Sequence, residues 1–184
     1  MQTPFDEKKA TEAAALLLNL RGGRMHYIKL IKLLYLADRE ALKRWGFAIT
    51  TDHYASMDHG PVVSNIYNLI VNEGHNDFWR EYISAPLGEY EVELLQPHAS
   101  EKLSLAEEKL LREIFNQYGS WNRWALIDQV MHKLPEWSDP HGSSTPITVV
   151  EILRAQGEDE ETISVVEREI ELAGRVEATL QGVA

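Results

Sequence analysis

The sequence predicts a mainly α-helical fold, a single compact helical domain of about six or seven helices with a small β-hairpin. Apolar residues recur at three- and four-residue spacing through most of the chain, and 184 residues of which 44% are hydrophobic suffice for one sizeable core. No internal repeat or low-complexity tract divides the chain. We expect this domain over residues 1–157, and over 158–184 an acidic C-terminal helix that packs on it or extends from it.

The N-terminal elements begin with two long helices. Small and apolar residues predict a core helix over about 5–20, which Gly22 and Gly23 end. A second apolar stripe predicts a helix from Tyr27 to Trp45. Gly46 follows this helix and can take the left-handed conformation that caps it.

A third helix is expected after the irregular stretch 47–59. Gly60 and Pro61 open this helix, because proline is well placed at a first helical position, and Gly74 ends it. Its free first-turn amides are expected to be capped by Asp58, or else to face an anion.

The middle of the chain predicts a hairpin and then another helix. Segments 78–83 and 90–95 flank turn-forming residues, and alternating polar and apolar positions in the second segment favour strands. Ser104 and Glu107 have the spacing of a capping box, which predicts the start of a helix that ends at Gly119.

The C-terminal part is expected to hold three more helices. Residues 121–134 form an apolar-rich segment that Pro135 stops, and a loop rich in Ser, Pro and Gly follows over 136–144. Thr145 and Pro146 predict the start of a short helix, and an acidic helix should then run to about Leu180.

Charge and cysteine content limit the function classes. A formal net charge of −11 argues against nucleic acid as the partner, because such binding depends on neutralising phosphates. The absence of cysteine excludes disulfides, thiolate zinc sites and cysteine nucleophiles, and it fits a reducing compartment. The sequence begins without the pattern of a signal peptide, and it has no apolar run of the ~20 residues that a membrane-spanning helix needs. We therefore expect a cytoplasmic protein that has no membrane partner.

One irregular segment holds residue types that chemistry uses. Asp52, His53, Asp58 and His59 suit a metal site or an acid/base pair, and they also suit caps and a polar scaffold. We favour the scaffold, because no known metal-ligand spacing such as HExxH is present. No nucleophile elbow or glycine-rich phosphate loop is found either.

A second loop, from Pro135 to Gly142 with His132 upstream, brings acids, histidines and an indole together. Its prolines and glycine make it rigid. Trp137 in this loop is either a plug of the core or an anchor for an interaction, since tryptophan is enriched at binding hot spots. Both interpretations stay open.

Four basic residues predict a charged stripe on the second helix. Lys29, Lys32, Arg39 and Lys43 fall on one helical face, which we expect to lie opposite the buried stripe. This face is either only solvated or a site for a phosphate or an acidic partner. At the other end of the chain, residues 158–184 hold eight acids and two bases.

Five short motifs occur in order along the chain. They are Lys29-Leu30-Ile31-Lys32-Leu33-Leu34-Tyr35-Leu36-Ala37, His59-Gly60-Pro61-Val62-Val63, Leu103-Ser104 with Glu107, Tyr118-Gly119, and Pro135-Glu136-Trp137. Together they resemble the motifs of the Panacea domain, also called the antitoxin SocA-like domain, over most of residues 10–155.

The resemblance implies a helical domain found in bacteria and phages, including prophages, as the antitoxin half of toxin–antitoxin pairs. Members neutralise diverse toxins by direct contact, and some relatives are adaptors that deliver a toxin to a protease. Many relatives carry an additional DNA-binding module. We find no separate basic helix-turn-helix here, which argues against self-repression.

We therefore expect an antitoxin rather than an enzyme. It should need no cofactor, and its partner should be a toxin encoded beside it, with a protease as a second candidate partner. The residues expected at the contact are Lys29, Lys32, Tyr35, Asp58, His59, Gly60, Pro61 and Trp137. Two alternatives stay open: a proteolytic adaptor, and a metal-dependent hydrolase in which Asp139 and His141 join the Asp/His segment at 52–59.

Overall fold

A computed structural model of the chain describes residues 4–72, 78–97 and 100–180. Within them lie eight α-helices, five short strands and a 3-10 helix at Met131–Lys133. The helices are α1 Glu7–Leu20, α2 Tyr27–Trp45, α3 Ser64–Val71, α4 Phe78–Tyr82, α5 Leu105–Tyr118, α6 Arg123–Gln129, α7 Val149–Ala155 and α8 Glu160–Leu180. The strands are β1 Arg24–His26, β2 Tyr54–Met57, β3 Gly60–Val63, β4 Glu91–Glu93 and β5 Thr145–Ile147. The predicted mainly α fold is confirmed.

Helix α2 lies at the centre of the molecule. It packs against α1, α5 and α7, and also against β3. Its residues are buried without a break from Lys29 to Asp38, as expected for a helix that other elements surround on every side. Its predicted bounds are confirmed, and Gly46 caps it with φ of +77°.

Helices α1 and α5 pack on α2 and on each other. Asp6 caps α1, because its side chain accepts a hydrogen bond from the Lys9 N–H. The predicted capping box of α5 is confirmed, with the Ser104 and Glu107 side chains each bonded to the other residue's backbone. The carboxylate of Glu107 also lies 2.7 Å from the Lys9 ammonium.

The sequence motif Gly60-Pro61-Val62-Val63 forms a strand, so the prediction that it opens a helix is wrong. It pairs antiparallel with β2, and β5 pairs with the other edge of β2, which gives the order β3-β2-β5. Proline is tolerated in β3 because this is an edge strand. Helix α3 begins only at Ser64. The helix end predicted at Gly74 lies outside the described residues.

The predicted hairpin between residues 78 and 95 is also wrong in its first half. Phe78–Tyr82 forms the short helix α4, in which Trp79 is fully buried. Helical spacing puts Trp79 and Ile83 on one side, where both join the core, and α4 packs against α1, which is distant in the sequence. Strand β4 pairs with β1 instead, and two isolated bridges connect residues 91 and 94 to the segment before it.

Two C-terminal predictions need correction as well. The helix expected over 121–134 is interrupted at Val130, where α6 gives way to the 3-10 helix. Residues 145–147 pair with β2, so α7 starts at Val149 under the cap of Thr148. The last helix runs to Leu180 as predicted. None of the helices in the described part of the chain is both long and apolar enough to cross a membrane.

Candidate partner-binding face

Four polar residues follow one edge of α2, and together they bind three different segments of the chain. We call Lys29, Lys32, Tyr35 and Arg39 the polar edge. The predicted exposed basic face is wrong for Lys29 and Lys32, which are 6% and 1% exposed, whereas Lys43 is exposed as expected. The reason is that neighbouring loops and β3 cover this side of α2 and offer carbonyl oxygens to the ammonium groups.

Lys32 holds the start of β3 against α2. Its Nζ donates hydrogen bonds to the carbonyl oxygens of Gly60, at 3.0 Å, and Pro61, at 2.8 Å. Burial lowers the pKa of Lys32 to about 7. A neutral amine keeps two N–H donors, which matches the two carbonyl acceptors. The first two family-like motifs of the sequence are therefore in direct contact.

Lys29 makes the corresponding contact with the connection between α5 and α6. Its Nζ donates to the carbonyl oxygens of Gly119 and Trp121, the second at 2.7 Å. Burial, and after it the positive charge of Arg21, lowers the pKa of Lys29. This lysine is thus occupied inside the fold.

Tyr35 and Arg39 both bind the carboxylate of Glu136. The Tyr35 hydroxyl donates at 2.9 Å and the Arg39 Nε at 2.6 Å, both to Oε1, while the Arg39 Nη2 reaches Oε2 at 3.3 Å. The Glu136 side chain has no exposed area. Burial, and after it the carboxylate of Glu136, raises the pKa of Tyr35. These bonds fix the loop immediately before Trp137.

The turn between β2 and β3 carries an aromatic surface. Trp137 donates from Nε1 to the Met57 carbonyl oxygen at 3.0 Å, and its ring stacks on His132 with centroids 4.3 Å apart. His59 contacts the Trp124 ring edge-on at 5.5 Å. We call His59, Trp124, His132 and Trp137 the His-Trp face. It is accessible in part, since Trp124 is 49% exposed and His59 is also exposed.

Asp58 at the tip of this turn links it to the following loop. Its Oδ1 accepts a hydrogen bond from the Gly142 N–H at 2.8 Å, and its carbonyl oxygen lies 2.9 Å from the His132 Nε2. The carboxylate therefore does not cap α3. Asp52 does so instead, accepting from the Asn65 N–H at 2.8 Å and the Ile66 N–H at 3.0 Å.

The structure brings most of the predicted contact residues together. Asp58 and His59 are exposed at the turn, Trp137 is half-buried beside them, and Gly60 and Pro61 are buried directly behind. Lys29, Lys32 and Tyr35 are buried on α2. The binding roles of all eight stay predictions. Trp124 was not predicted from the sequence, whereas His132 was noted upstream of the second loop.

A small cavity lies beside the turn. Its volume is about 190 Å³, and its lining includes Tyr27, Ile31, Lys32, His59 and Tyr67. Aromatic rings next to a few polar groups are typical of surfaces that contact another protein. Over the described residues, no group of three or more His, Asp or Glu side chains is placed to hold a metal ion.

A further buried acid was missed because it lies within the apolar run of α2. Asp38 is fully buried and accepts from the backbone N–H groups of Ile49 and Thr50, each at 2.9 Å. The hydroxyls of Thr50 and Tyr54 also donate to it. Burial raises the pKa of Asp38 to about 6. This acid fixes the segment between α2 and β2, and it lies outside the His-Trp face.

Comparison with known proteins gives one match. A family model described as "Antitoxin SocA-like, Panacea domain" matches residues 30–138. No curated protein and no solved structure matches the chain. The matched segment begins in α2 and ends just after Trp137, so it contains Lys32, Tyr35 and Arg39 together with the loops that they bind.

Proposed function

Because this chain belongs to the antitoxin SocA-like, Panacea domain family, we propose that it is an antitoxin that neutralises a toxin encoded beside it by direct protein–protein binding. The family match over residues 30–138 carries the proposal. The antitoxin blocks its toxin by occupying it and catalyses no reaction of its own. It works in the cytoplasm and needs no cofactor.

The His-Trp face is the proposed contact surface. Indole rings dominate the energy of many interfaces because they bury a large area with few rotatable bonds. The rings of Trp137 and His132 are already stacked, and the Glu136 carboxylate is already bound by Tyr35 and Arg39. A surface that is fixed before binding loses little conformational entropy on binding.

The net charge supports a basic partner. A chain with formal net charge of −11 attracts positively charged proteins over distances of about a Debye length. Toxins that act on nucleic acids carry basic surfaces, since they contact phosphates. Electrostatic attraction would speed association of such a toxin with this antitoxin.

The first test is co-expression with the adjacent open reading frame. We expect that this gene alone stops growth, that co-expression of this chain restores growth, and that the two proteins purify as a stable complex. A harmless neighbour that does not bind would refute the proposal. If the toxin instead disappears with time only in cells that hold an active protease, the chain is a proteolytic adaptor.

The second test maps the contact. Replacing both exposed rings, Trp124→Ala with His59→Ala, is expected to weaken binding by at least about tenfold, the size of a hot-spot effect. Leu105→Ala is the matched control, because Leu105 is 86% exposed and lies on α5. Equal affinity of the double variant and the control would remove the His-Trp face from the contact.

A further inference from the structure

A large groove lies away from the His-Trp face, between the sheet and the C-terminal helix. Its volume is about 650 Å³, well above that of the cavity beside the turn. One wall comes from β2 and from the start of α7, and the other from α8. Apolar side chains dominate the wall on the sheet side, among them Phe47, Tyr54, Ile147 and Val150, and Ile170 is the apolar residue of the α8 wall.

Phe47 marks the open edge of this groove. Its side chain is 54% exposed, and its only described ring contact is with Trp45, at 5.8 Å between centroids. Single exposed apolar residues are common on protein surfaces. An exposed phenylalanine beside an apolar groove instead forms a larger apolar patch, which is typical of an interaction site. The groove therefore offers an apolar surface that the described part of the chain leaves open.

The charges along the groove are of one sign. Asp52, Glu167 and Glu171 line it, while no Lys or Arg among the described residues does. Asp52 is bound by the backbone N–H groups at the start of α3. The carboxylates at the α8 rim are Glu167 and Glu171, and Glu171 lies 3.8 Å from the Arg175 Nη2 one turn further along the helix. A ligand that complements this groove has apolar side chains flanked by positive charges.

The chain itself does not supply such a ligand in its undescribed segments. Residues 1–3, 73–77, 98–99 and 181–184 contain no lysine and no arginine. A second copy of the chain is also a poor match, because it carries the same net charge of −11 and the same acidic α8. The charge of the groove therefore favours a segment of a different protein.

We propose that the groove between α8 and the sheet is a second docking site, which takes from the toxin a segment with apolar anchors flanked by Lys or Arg. This inference rests on the proposed antitoxin function and deepens it. Phe47 and the apolar walls bind the anchors, and Glu167 and Glu171 bind the flanking cations. The groove lies beyond residue 138 on its α7 and α8 side, outside the segment that the family match covers.

Charge reversal within one helix tests the acidic rim. The full chain with Glu167→Lys and Glu171→Lys is compared with the full chain carrying Glu161→Lys and Glu169→Lys, at two α8 carboxylates that do not line the groove. Both variants change the net charge equally. We expect the first to weaken the affinity for the adjacent-gene product at least about tenfold at ~150 mM salt, and the second by less than about threefold.

Truncation of the exposed ring tests the apolar part. Phe47→Ala is expected to weaken binding at least about tenfold, and Leu95→Ala, at a residue that is 55% exposed elsewhere, is expected to leave it unchanged. Circular dichroism and urea unfolding check that every variant is folded.

The outcomes separate the two proposals. If the wild type binds the adjacent-gene product and the groove variants bind it equally well, the groove is wrong and the antitoxin function stands. If the wild type does not bind, the antitoxin function fails and the groove inference falls with it. If light scattering shows a dimer of the chain that Phe47→Ala dissociates, the occupant is a second copy and the proposal is overturned.

Discussion

The polar edge of α2 and the outer side of α8 differ in burial: polar side chains are buried on the first, and apolar side chains are exposed on the second. On α2, Lys29, Lys32 and Tyr35 are buried and hydrogen-bonded to groups far away in sequence. On α8, even apolar side chains are open, with Leu172 53% exposed and Val176 60% exposed. The family match includes most of the first region and none of the second. The comparison indicates that the shared sequence pattern describes an internal framework, and that surfaces outside it are free to suit one partner.

The physical reason is the cost of an unpaired buried polar group. When a buried lysine or glutamate loses its partner, the free energy of unfolding falls several times more than when the same side chain loses a partner on the surface. Each polar-edge residue and its partner loop must therefore be retained together. This accounts for the contact between sequence motifs that are 28 to 101 residues apart along the chain.

The largest expected effect comes from the buried ion pair. Glu136→Ala leaves the Arg39 guanidinium and the Tyr35 hydroxyl without their acceptor, and should lower the free energy of unfolding by about 3–5 kcal/mol. Glu113 pairs with Arg44 at 2.8 Å, but both side chains are about 40% exposed, so Glu113→Ala should cost at most about 1 kcal/mol. Urea unfolding measures both. Similar losses in the two variants would mean that the polar edge does not stabilise the fold more than a surface pair.

Next in size is the close approach of β3 to the 3-10 helix. Gly60 has φ of +92°, and an added Cβ would lie 2.7 Å from the Met131 Cβ. Gly60→Ala should therefore cost about 2–3 kcal/mol through backbone strain and overpacking. Gly157 has φ of +83° with open space around it, so Gly157→Ala isolates the strain and should cost about 1 kcal/mol. Equal thermal melting of the two variants would contradict this close packing.

Lys32 gives a pH-dependent test of the same framework. Its pKa is lowered from 10.5 to about 7 in the folded chain, so between these values the unfolded chain binds a proton that the folded chain has released. The stability that the amine contributes is complete above 10.5 and is lost as the pH falls through about 7. Relative to Lys32→Met, the wild type should gain about 2 kcal/mol between about pH 7 and about pH 9.

The matched control for this titration is Lys109→Met, on the exposed side of α5. Unfolding of the wild type and this variant over the same pH range gives the effect of replacing a lysine at an exposed position, to which the Lys32→Met difference is compared. A flat difference for Lys32→Met would mean that Lys32 stays charged inside the fold. In that case the two carbonyl oxygens bind an ammonium ion.

Local sequence signals predicted the long helices. The strand at residues 60–63 and the burial of Trp79 depend instead on contacts with residues that are distant in the sequence. The caps at Ser104 and Gly46 and the stripe of α2 lie within a few residues of what they specify, so the sequence sufficed for them. The strand at Gly60–Val63 depends on pairing with β2 and on Lys32, which no local pattern contains. The same applies to Trp79, which is buried by α1 from far away in sequence.

Some of the residues predicted for the contact lie together in the fold, although their binding roles stay predictions. Asp58, His59 and Trp137 do lie around one turn, because the irregular, Pro- and Gly-rich segments of the sequence meet there. The exposure of Lys29 and Lys32 was predicted wrongly, since helical periodicity tells which residues share a face and not what covers that face.

The smallest expected effect belongs to the outer side of α8. Leu172→Ala should change the free energy of unfolding by no more than about 0.5 kcal/mol, because this side chain is already half exposed in the folded chain. On the same helix, Ile163 is 2% exposed and packs in the core, so Ile163→Ala should cost about 2 kcal/mol or more. If the two substitutions cost the same in urea unfolding, another surface covers Leu172 in solution, and α8 belongs to the framework as much as α2 does. If they differ as expected, the apolar residues on the outer side of α8 contribute little to the fold, which leaves them free to serve in binding.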